Sequence, residues 1–245
     1  MKPAVAYHAD DLGHDESANR GIDRALAAGL VRSVSFRVIG AAADEGAAIA
    51  QRYRDRVDVG LHFSLTEGCA LGGPAEGLTD VLGRFLPLPV LFVSTALGVP
   101  HGDSIRRELR AQLRRARELG LVIDHLDGHH HVHVLRGVRE VIALEAPSLR
   151  VRVPREPPGP SLRGRVVRAV AGAGPDRFAG VALRTAADFG GALDELLAHP
   201  PASSFELMVH PRADRPDELR ALTDPVSIAR IEARCRPCRL SDLPE

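Results

Sequence analysis

The chain contains no tryptophan, only seven phenylalanines and two tyrosines in 245 residues, and a single lysine, Lys2. Lys plus Arg and Asp plus Glu number 32 each, so there is no excess positive charge to bind a phosphate backbone. We therefore expect no nucleic-acid partner. The three cysteines are too few for a disulfide framework, and the pair Cys235 and Cys238 lacks the second pair that a structural zinc site needs.

Long apolar runs are also absent. The most apolar stretch, residues 86–100, is too short to cross a bilayer and contains prolines, so we interpret it as a loop or lid beside a site. Residues 1–7 lead directly into polar residues without the apolar stretch of a signal peptide, which predicts a cytoplasmic location. The length suits one large α/β domain, and we expect a single domain over residues 1–245.

Segments typical of strands and helices alternate along the chain. Amphipathic helices are predicted over residues 16–28 and 103–119. Buried parallel strands are predicted over residues 4–11, 33–40, 57–66, 122–129, 149–154, 181–185 and 204–210. This alternation fits an open doubly wound sheet or a barrel. We expect an α/β fold of the irregular TIM-like (β/α) barrel type with about seven parallel strands, because polar residues follow several strands at the C-terminal ends, where barrel active sites are assembled.

The first two polar clusters follow the first and third predicted strands. Asp10 and Asp11 are adjacent and point to opposite sides of a strand, so one can bind a cation while the other moves protons. Helix capping is the alternative role for such a pair. His62 interrupts an apolar run and must find a hydrogen-bond or metal partner, with a hydrogen-bonded core histidine as the alternative.

Residues 125–133 contain five of the eleven histidines and also Asp127. On an extended strand His129, His131 and His133 would share one face, which favours metal binding over a histidine-rich surface loop. His210 ends the last predicted strand without neighbouring ligands, and this position suits a proton donor.

Two histidines and one carboxylate suit Zn²⁺ or another first-row ion in hydrolysis. Iron oxygenases use the same ligand types, but their carboxylate lies two residues after the first histidine and ahead of the second. Here the order would be Asp11, His62, His129.

Five motifs in this order resemble those of the YdjC-like carbohydrate deacetylase family over essentially the whole chain. They lie at residues 8–13, 60–66, 125–133, 152–154 and 208–211. The chain departs from the family pattern at His8, where asparagine is usual, and at Gly128, where serine is usual.

The resemblance implies an irregular TIM-like barrel that removes acetyl groups from N-acetylated sugars with one divalent metal ion, zinc or magnesium. It implies these roles: metal ligands Asp11, His62 and His129; general base Asp10; general acid His210; support of the site or substrate contact by Asp127, His131 and His133; and an auxiliary or substrate-binding role for Arg152. A small-molecule amino-sugar substrate and a homodimer are the expected partners. A metal-dependent phosphoesterase and a non-catalytic sugar-binding protein on the same scaffold are the alternatives.

Aromatic side chains, which commonly stack on sugar rings, are scarce. Phe36, Phe63, Phe85 and Phe92 are the only candidates near the site. We therefore expect a small amino sugar, or an amino sugar carried on a lipid or a secondary metabolite, rather than a long chitin-like oligosaccharide.

Overall fold

A computed structural model describes residues 1–99, 102–157, 162–173 and 176–244, with a parallel sheet at the centre. The sheet order is β5-β4-β3-β2-β1-β7-β6, and β8 pairs with β1. The strands are β1 (Ala4–Leu12), β2 (Ser33–Phe36), β3 (Asp58–Phe63), β4 (His125–Gly128), β5 (Arg150–Val151), β6 (Phe178–Ala179), β7 (Ser204–Val209) and β8 (Arg236–Cys238).

Helices follow most of these strands. They are α1 (Glu16–Ala28), α2 (Ala43–Arg52), α3 (Leu88–Ala96), α4 (Gly102–Glu118), α5 (Arg136–Glu145), α6 (Leu162–Ala171), α7 (Phe189–Ala198), α8 (Pro216–Thr223) and α9 (Pro225–Arg234). Short 3-10 helices cover His129–Val134, Leu183–Thr185 and Leu240–Asp242. In the described ranges no helix has the length and apolar character needed to span a membrane.

The sheet curls into a half-barrel of seven parallel strands, which confirms the predicted fold class. β1 lies inside the sheet, between β2 and β7, and is covered on both faces: Val5 and Tyr7 on one face and Ala6 and His8 on the other are all 0% exposed. Burial on both faces is usual for parallel strands and explains the continuous apolar runs in the sequence. The C-terminal ends of β1, β3, β4 and β7 consequently open at the same edge of the sheet.

The helix predictions at residues 16–28 and 103–119 are confirmed by α1 and α4. Asp15 caps the N-terminus of α1, because its side chain accepts a hydrogen bond of 2.8 Å from the Ala18 backbone N–H. Gly29, with a φ of 86°, ends it in the left-handed conformation that glycine tolerates.

Residues 129–133 do not continue a strand as predicted. Sheet pairing stops at Gly128, and the chain turns into a 3-10 helix in which His130 and His131 have φ values of 55° and 59°. The predicted strand over residues 181–185 is also wrong, because β6 precedes it and Leu183–Thr185 forms a 3-10 turn. β8 was not predicted, since a strand with proline at its centre carries a weak strand signal.

The predicted loop over residues 86–100 is largely the helix α3, and Pro100 lies outside the described residues. Pro87 precedes α3 and Pro89 lies in its first turn. Backbone N–H groups at these positions make no hydrogen bond within a helix, so proline costs none there. Leu91 is the buried residue of α3, and the exposed side chains of the helix are apolar.

Candidate active site

The C-terminal end of β1 holds the two adjacent aspartates. Between Ala9 and Leu12, β1 has one residue more than the aligned part of β2, which makes a β-bulge that redirects its side chains. Asp11 has a φ of 72°, a conformation that is costly for residues other than glycine and that concentrates at functional sites. Because of this bulge, Asp10 and Asp11 can serve different partners.

Asp11, His62 and His129 meet at one point, although they come from β1, β3 and the turn after β4. Asp11 Oδ1 lies 3.3 Å from His62 Nε2 and 3.1 Å from His129 Nδ1, and the two nitrogens are 3.2 Å apart. Ligand atoms held about 2.1 Å from one ion, at tetrahedral or octahedral angles, are separated by roughly 3.0–3.4 Å. The three donor atoms therefore fit a single small cation.

The charges at this point are strongly perturbed. Burial alone would raise the pKa of Asp11, but hydrogen bonds with His129 and His62 lower it well below its ordinary value. Burial would lower the pKa of His62, yet Asp127 and Asp11 raise it to about 10. A cation that binds His62 Nε2 consequently displaces a proton.

Each histidine of this trio has a carboxylate behind it. His62 Nδ1 lies 2.8 Å from Asp127 Oδ1, and His129 Nε2 lies 3.3 Å from Glu67 Oε2. Carboxylates in this position fix the ring orientation and the tautomer of metal-binding histidines. Glu67 was not predicted. Its sequence signal was weak, because it follows the Gly60–Thr66 motif in a loop where an acidic residue is ordinary.

Arg152 lies fully buried beside Asp10. Its guanidinium donates to both carboxylate oxygens of Asp10, at 2.8 and 2.7 Å, and contacts Asp127 Oδ2 at 2.6 Å and Glu206 Oε1 at 2.7 Å. Burial alone would raise the pKa of Asp10, but the charge and hydrogen bonds of Arg152, together with the charge of His62, lower it to about 2. Asp10 is therefore ionised at neutral pH, the state in which a carboxylate accepts a proton.

This burial bears on the predicted substrate contacts. The side chains of Arg152 and Asp127 are both 0% exposed. A side chain without exposed surface cannot touch a substrate unless the site rearranges. The geometry thus favours a positioning role for Arg152 and Asp127, which hold Asp10 and His62 in place. It does not favour direct contact with the substrate.

His210 follows β7, directly beside the end of β1. Ala9 pairs with Val209, so Asp10 and His210 are the next residues of two adjacent strands. Burial lowers the pKa of His210 to about 4, although the nearby carboxylates act in the opposite direction. The imidazole is therefore neutral at pH 7.

His131 and His133 do not share a face with His129, because the 3-10 turn separates them. His133 Nε2 lies 3.1 Å from the carbonyl oxygen of Arg152, and burial lowers the pKa of His133 to about 4. The ring is neutral at pH 7 and donates this hydrogen bond. His131 is buried, and its ring centroid lies 6.0 Å from that of His133. Both are placed to support the site, and direct substrate contact by either stays a prediction.

His8, the first departure from the family pattern, lies beneath the candidate site. Its Nδ1 is 3.0 Å from Glu206 Oε1, and its Nε2 is 3.8 Å from Asp10 Oδ1 and 3.7 Å from Asp127 Oδ2. His8, Asp10 and Asp127 could form a second cation site. The buried Arg152 guanidinium already contacts all three carboxylates, so a further cation would meet a like charge.

Glu67, His129 and His130 form a third group of side chains that could hold a cation. Arg37 Nη1 lies 3.0 Å from Glu67 Oε2 and 3.4 Å from His129 Nε2, so a cation there would again meet a buried guanidinium. Asp11, His62 and His129 are the better cation site in the described part of the chain.

Two glycines allow the close packing around these side chains. A Cβ on Gly60 would lie 2.2 Å from His125 Nε2. A Cβ on Gly128 would lie 2.9 Å from His133 Nδ1, so the serine usual in the family would displace that ring. The second departure therefore has a steric reason.

The aromatic candidates for stacking on a sugar are mostly inaccessible. Phe36 and Phe63 are fully buried and Phe85 is 8% exposed, whereas Phe92 is 44% exposed. Three of the four side chains are therefore core residues, which corrects the prediction, and only Phe92 faces solvent.

Comparison with known proteins gives one family. The model of the YdjC-like protein family matches residues 5–233. A carbohydrate deacetylase of Geobacillus stearothermophilus is 31% identical over 240 residues, which are 93% of this chain and 92% of that protein. A human carbohydrate deacetylase is 40% identical over 153 residues, 61% of this chain and 47% of that one. This chain thus aligns with about half of the length of the human relative.

Solved structures support the fold alone. A protein of Enterococcus faecalis, named for cellobiose-phosphate cleavage, superposes over 100% of both chains with a TM-score of 0.74 and 20% identity. A lactam utilization protein of Thermus thermophilus superposes over 97% of this chain and 100% of that one, with a TM-score of 0.51 and 16% identity.

Proposed function

We propose, because the chain belongs to the YdjC-like protein family, that it is a metal-dependent hydrolase that removes the N-acetyl group from an amino sugar or an amino-sugar-containing small molecule. The observation that carries the proposal is the meeting of Asp11, His62 and His129 within 3.3 Å of one another, next to an ionised Asp10. Relatives named carbohydrate deacetylase support the choice of reaction.

Asp11, His62 and His129 would hold one divalent ion, zinc or magnesium. Two imidazole ligands favour zinc, because magnesium prefers oxygen ligands. When bound, such an ion polarises a carbonyl group and lowers the pKa of a water molecule. Asp127 and Glu67 keep the two imidazoles oriented toward the ion through their hydrogen bonds.

Asp10 accepts the proton of the attacking water as the general base, and Arg152 holds it ionised and in place. His210 donates a proton to the departing amine nitrogen, so that the carbon-nitrogen bond breaks. Its low pKa means that it enters the cycle neutral and must first gain a proton. Asp10, at the end of the adjacent strand, has by then accepted a proton from the attacking water and is the source of the proton that His210 needs.

Release of acetate tests this function. We expect the metal-loaded protein to release acetate from N-acetylglucosamine or its short glycosides, and we expect a chelator to abolish the release and added zinc or magnesium to restore it. Phosphate release from phosphomonoesters, measured in parallel, covers the phosphoesterase alternative. Phosphate without acetate would overturn the proposal, and sugar binding without turnover by any metal form would favour a non-catalytic sugar-binding protein.

A further inference from the structure

An apolar groove lies along α3. Phe92 and Val93 of α3 form one wall, Val166 and Val170 of α6 form another, and the 3-10 turn with His130 and His131 closes the groove. We call it the α3 groove. Its volume of about 750 Å³ falls within the range of about 300–1,000 Å³ that is usual for ligand pockets.

Three apolar side chains along this groove are unusually exposed for their type. Phe92 is 44%, Val93 is 56% and Val166 is 48% exposed. Residues 86–99 contain no charged residue. The other eight Phe and Tyr side chains all lie within the described residues and are at most 8% exposed, so Phe92 is the one aromatic side chain of these nine with a large exposed fraction. A contiguous apolar surface of this kind is characteristic of a binding site.

The groove adjoins the candidate active site through His130. His130, in its wall, packs against the candidate metal ligand His129 with ring centroids 4.0 Å apart, and its Nδ1 lies 3.0 Å from Thr66 Oγ1. The left-handed backbone at His130 and His131 turns the chain here. One short turn therefore presents His129 to Asp11 and the next two residues to the groove.

A second cleft, of about 1010 Å³, is different in character. Its lining includes Arg37 and Glu67, which both contact His129 Nε2, together with His14 and Arg115. Its charged and hydrogen-bonding groups suit sugar hydroxyls, whereas the α3 groove has few polar groups to offer them. Residues of both clefts thus contact the candidate metal ligand His129: Arg37 and Glu67 from the polar cleft, and His130 from the apolar one.

We propose that the α3 groove binds an apolar aglycone carried by the amino sugar, so that the natural substrate is an amphipathic glycoside with an alkyl or lipid-like group. This inference rests on the proposed deacetylase function and names the substrate class of that site. The packing of His130, in the wall of the groove, against the candidate metal ligand His129 favours part of the substrate as the occupant over a second copy of the chain.

The test compares kcat/KM for acetate release from the methyl, butyl and octyl glycosides of N-acetylglucosamine, below the concentration at which the octyl compound forms micelles. Burial of each methylene should raise kcat/KM about two- to fourfold until the groove is filled. Phe92→Ser should lower the octyl-to-methyl ratio by about tenfold or more. The matched control, Val226→Ser, changes a valine that is 78% exposed on α9 and should leave the ratio unchanged.

Equal kcat/KM across the glycosides, or an unchanged ratio in Phe92→Ser, would overturn the proposal. It would also be overturned if chitobiose gained as much as the octyl glycoside, since the groove would then bind a sugar. A third overturning result is a larger gain from N-octanoylglucosamine, since the groove would then hold the acyl chain. Conversion of a dimer to a monomer by Phe92→Ser, with the ratio unchanged, would identify a subunit interface.

Failure of the proposed function gives a different result, because no glycoside would then release acetate. Binding of a fluorescently labelled octyl N-acetylglucosaminide, followed by fluorescence polarisation, reports on the groove without turnover. Binding that weakens in Phe92→Ser but not in Val226→Ser would support the groove even for an inactive protein. Binding equal in both variants would contradict it.

Discussion

Asp10→Asn should lower kcat for acetate release by about 10²–10⁴-fold, the usual contribution of general acid-base catalysis. The amide has nearly the same shape as the carboxylate but cannot accept the proton of the attacking water. Metal content should stay near that of the wild type, because the candidate ligand atoms belong to Asp11, His62 and His129. Acetate release and metal content are measured on the same preparations.

Asp217→Asn is the matched control for this substitution. Asp217 is 66% exposed and pairs with Arg220 on α8, so its replacement should change neither quantity. An Asp10→Asn protein within about threefold of wild-type kcat would contradict the assignment of the general base. Loss of the metal together with activity would instead make Asp10 a ligand.

Arg152→Met should cause the largest loss of stability of any single substitution proposed for this protein, about 3–5 kcal/mol. The arginine side chain is fully buried and is the common partner of Asp10, Asp127 and Glu206, which would lose their compensating charge. Urea unfolding at pH 7 measures the loss. Arg136→Met, at a side chain that is 87% exposed, should change the free energy of unfolding by less than about 0.5 kcal/mol.

The effect of Arg152→Met should also depend on pH. In the wild type Arg152 lowers the pKa values of the three carboxylates below their ordinary values, so its stabilisation is present above about pH 4.5 and is lost as the pH falls through the folded-state values. In the variant, burial without the arginine raises those pKa values, and the folded protein takes up protons readily. The difference in unfolding free energy should therefore shrink between pH 7 and pH 4. A difference that stays constant over this range would contradict the ion-pair account.

Much of the fold was predictable because its signals are local. The capped and amphipathic α1, and the apolar runs of β1 and β7, record burial directly in the sequence. The three candidate metal ligands could also be predicted from the sequence, since Asp11, His62 and His129 each follow or interrupt such a run. Their meeting depends on the half-barrel, which brings the ends of parallel strands to one edge.

Other features depend on contacts between distant residues. The bulge that holds Asp11 and the turn after Gly128 arise where strand pairing ends, and no local propensity determines that point. The partners of Arg152 come from three strands, so its full burial could not be read from its own neighbours. Glu206 did carry a signal, because a charged residue inside the apolar run of β7 requires a buried partner.

Several predictions made from the sequence remain untested. They include the roles of the site residues, the identity of the metal, the single domain, the cytoplasmic location, the homodimer and the lack of a nucleic-acid partner. Asp127 and Arg152 were predicted to contact the substrate. Because both are buried and pair with His62 and Asp10, the geometry favours a positioning role for them. We expect the substrate surface instead in the α3 groove and the polar cleft, since both contain residues that contact His129.

The most direct measurement is the anomalous difference density of a crystal of the full chain loaded with zinc. We expect one peak within about 2.3 Å of Asp11 Oδ1, His62 Nε2 and His129 Nδ1. A strong peak elsewhere in the molecule with none between these three atoms would contradict the central claim.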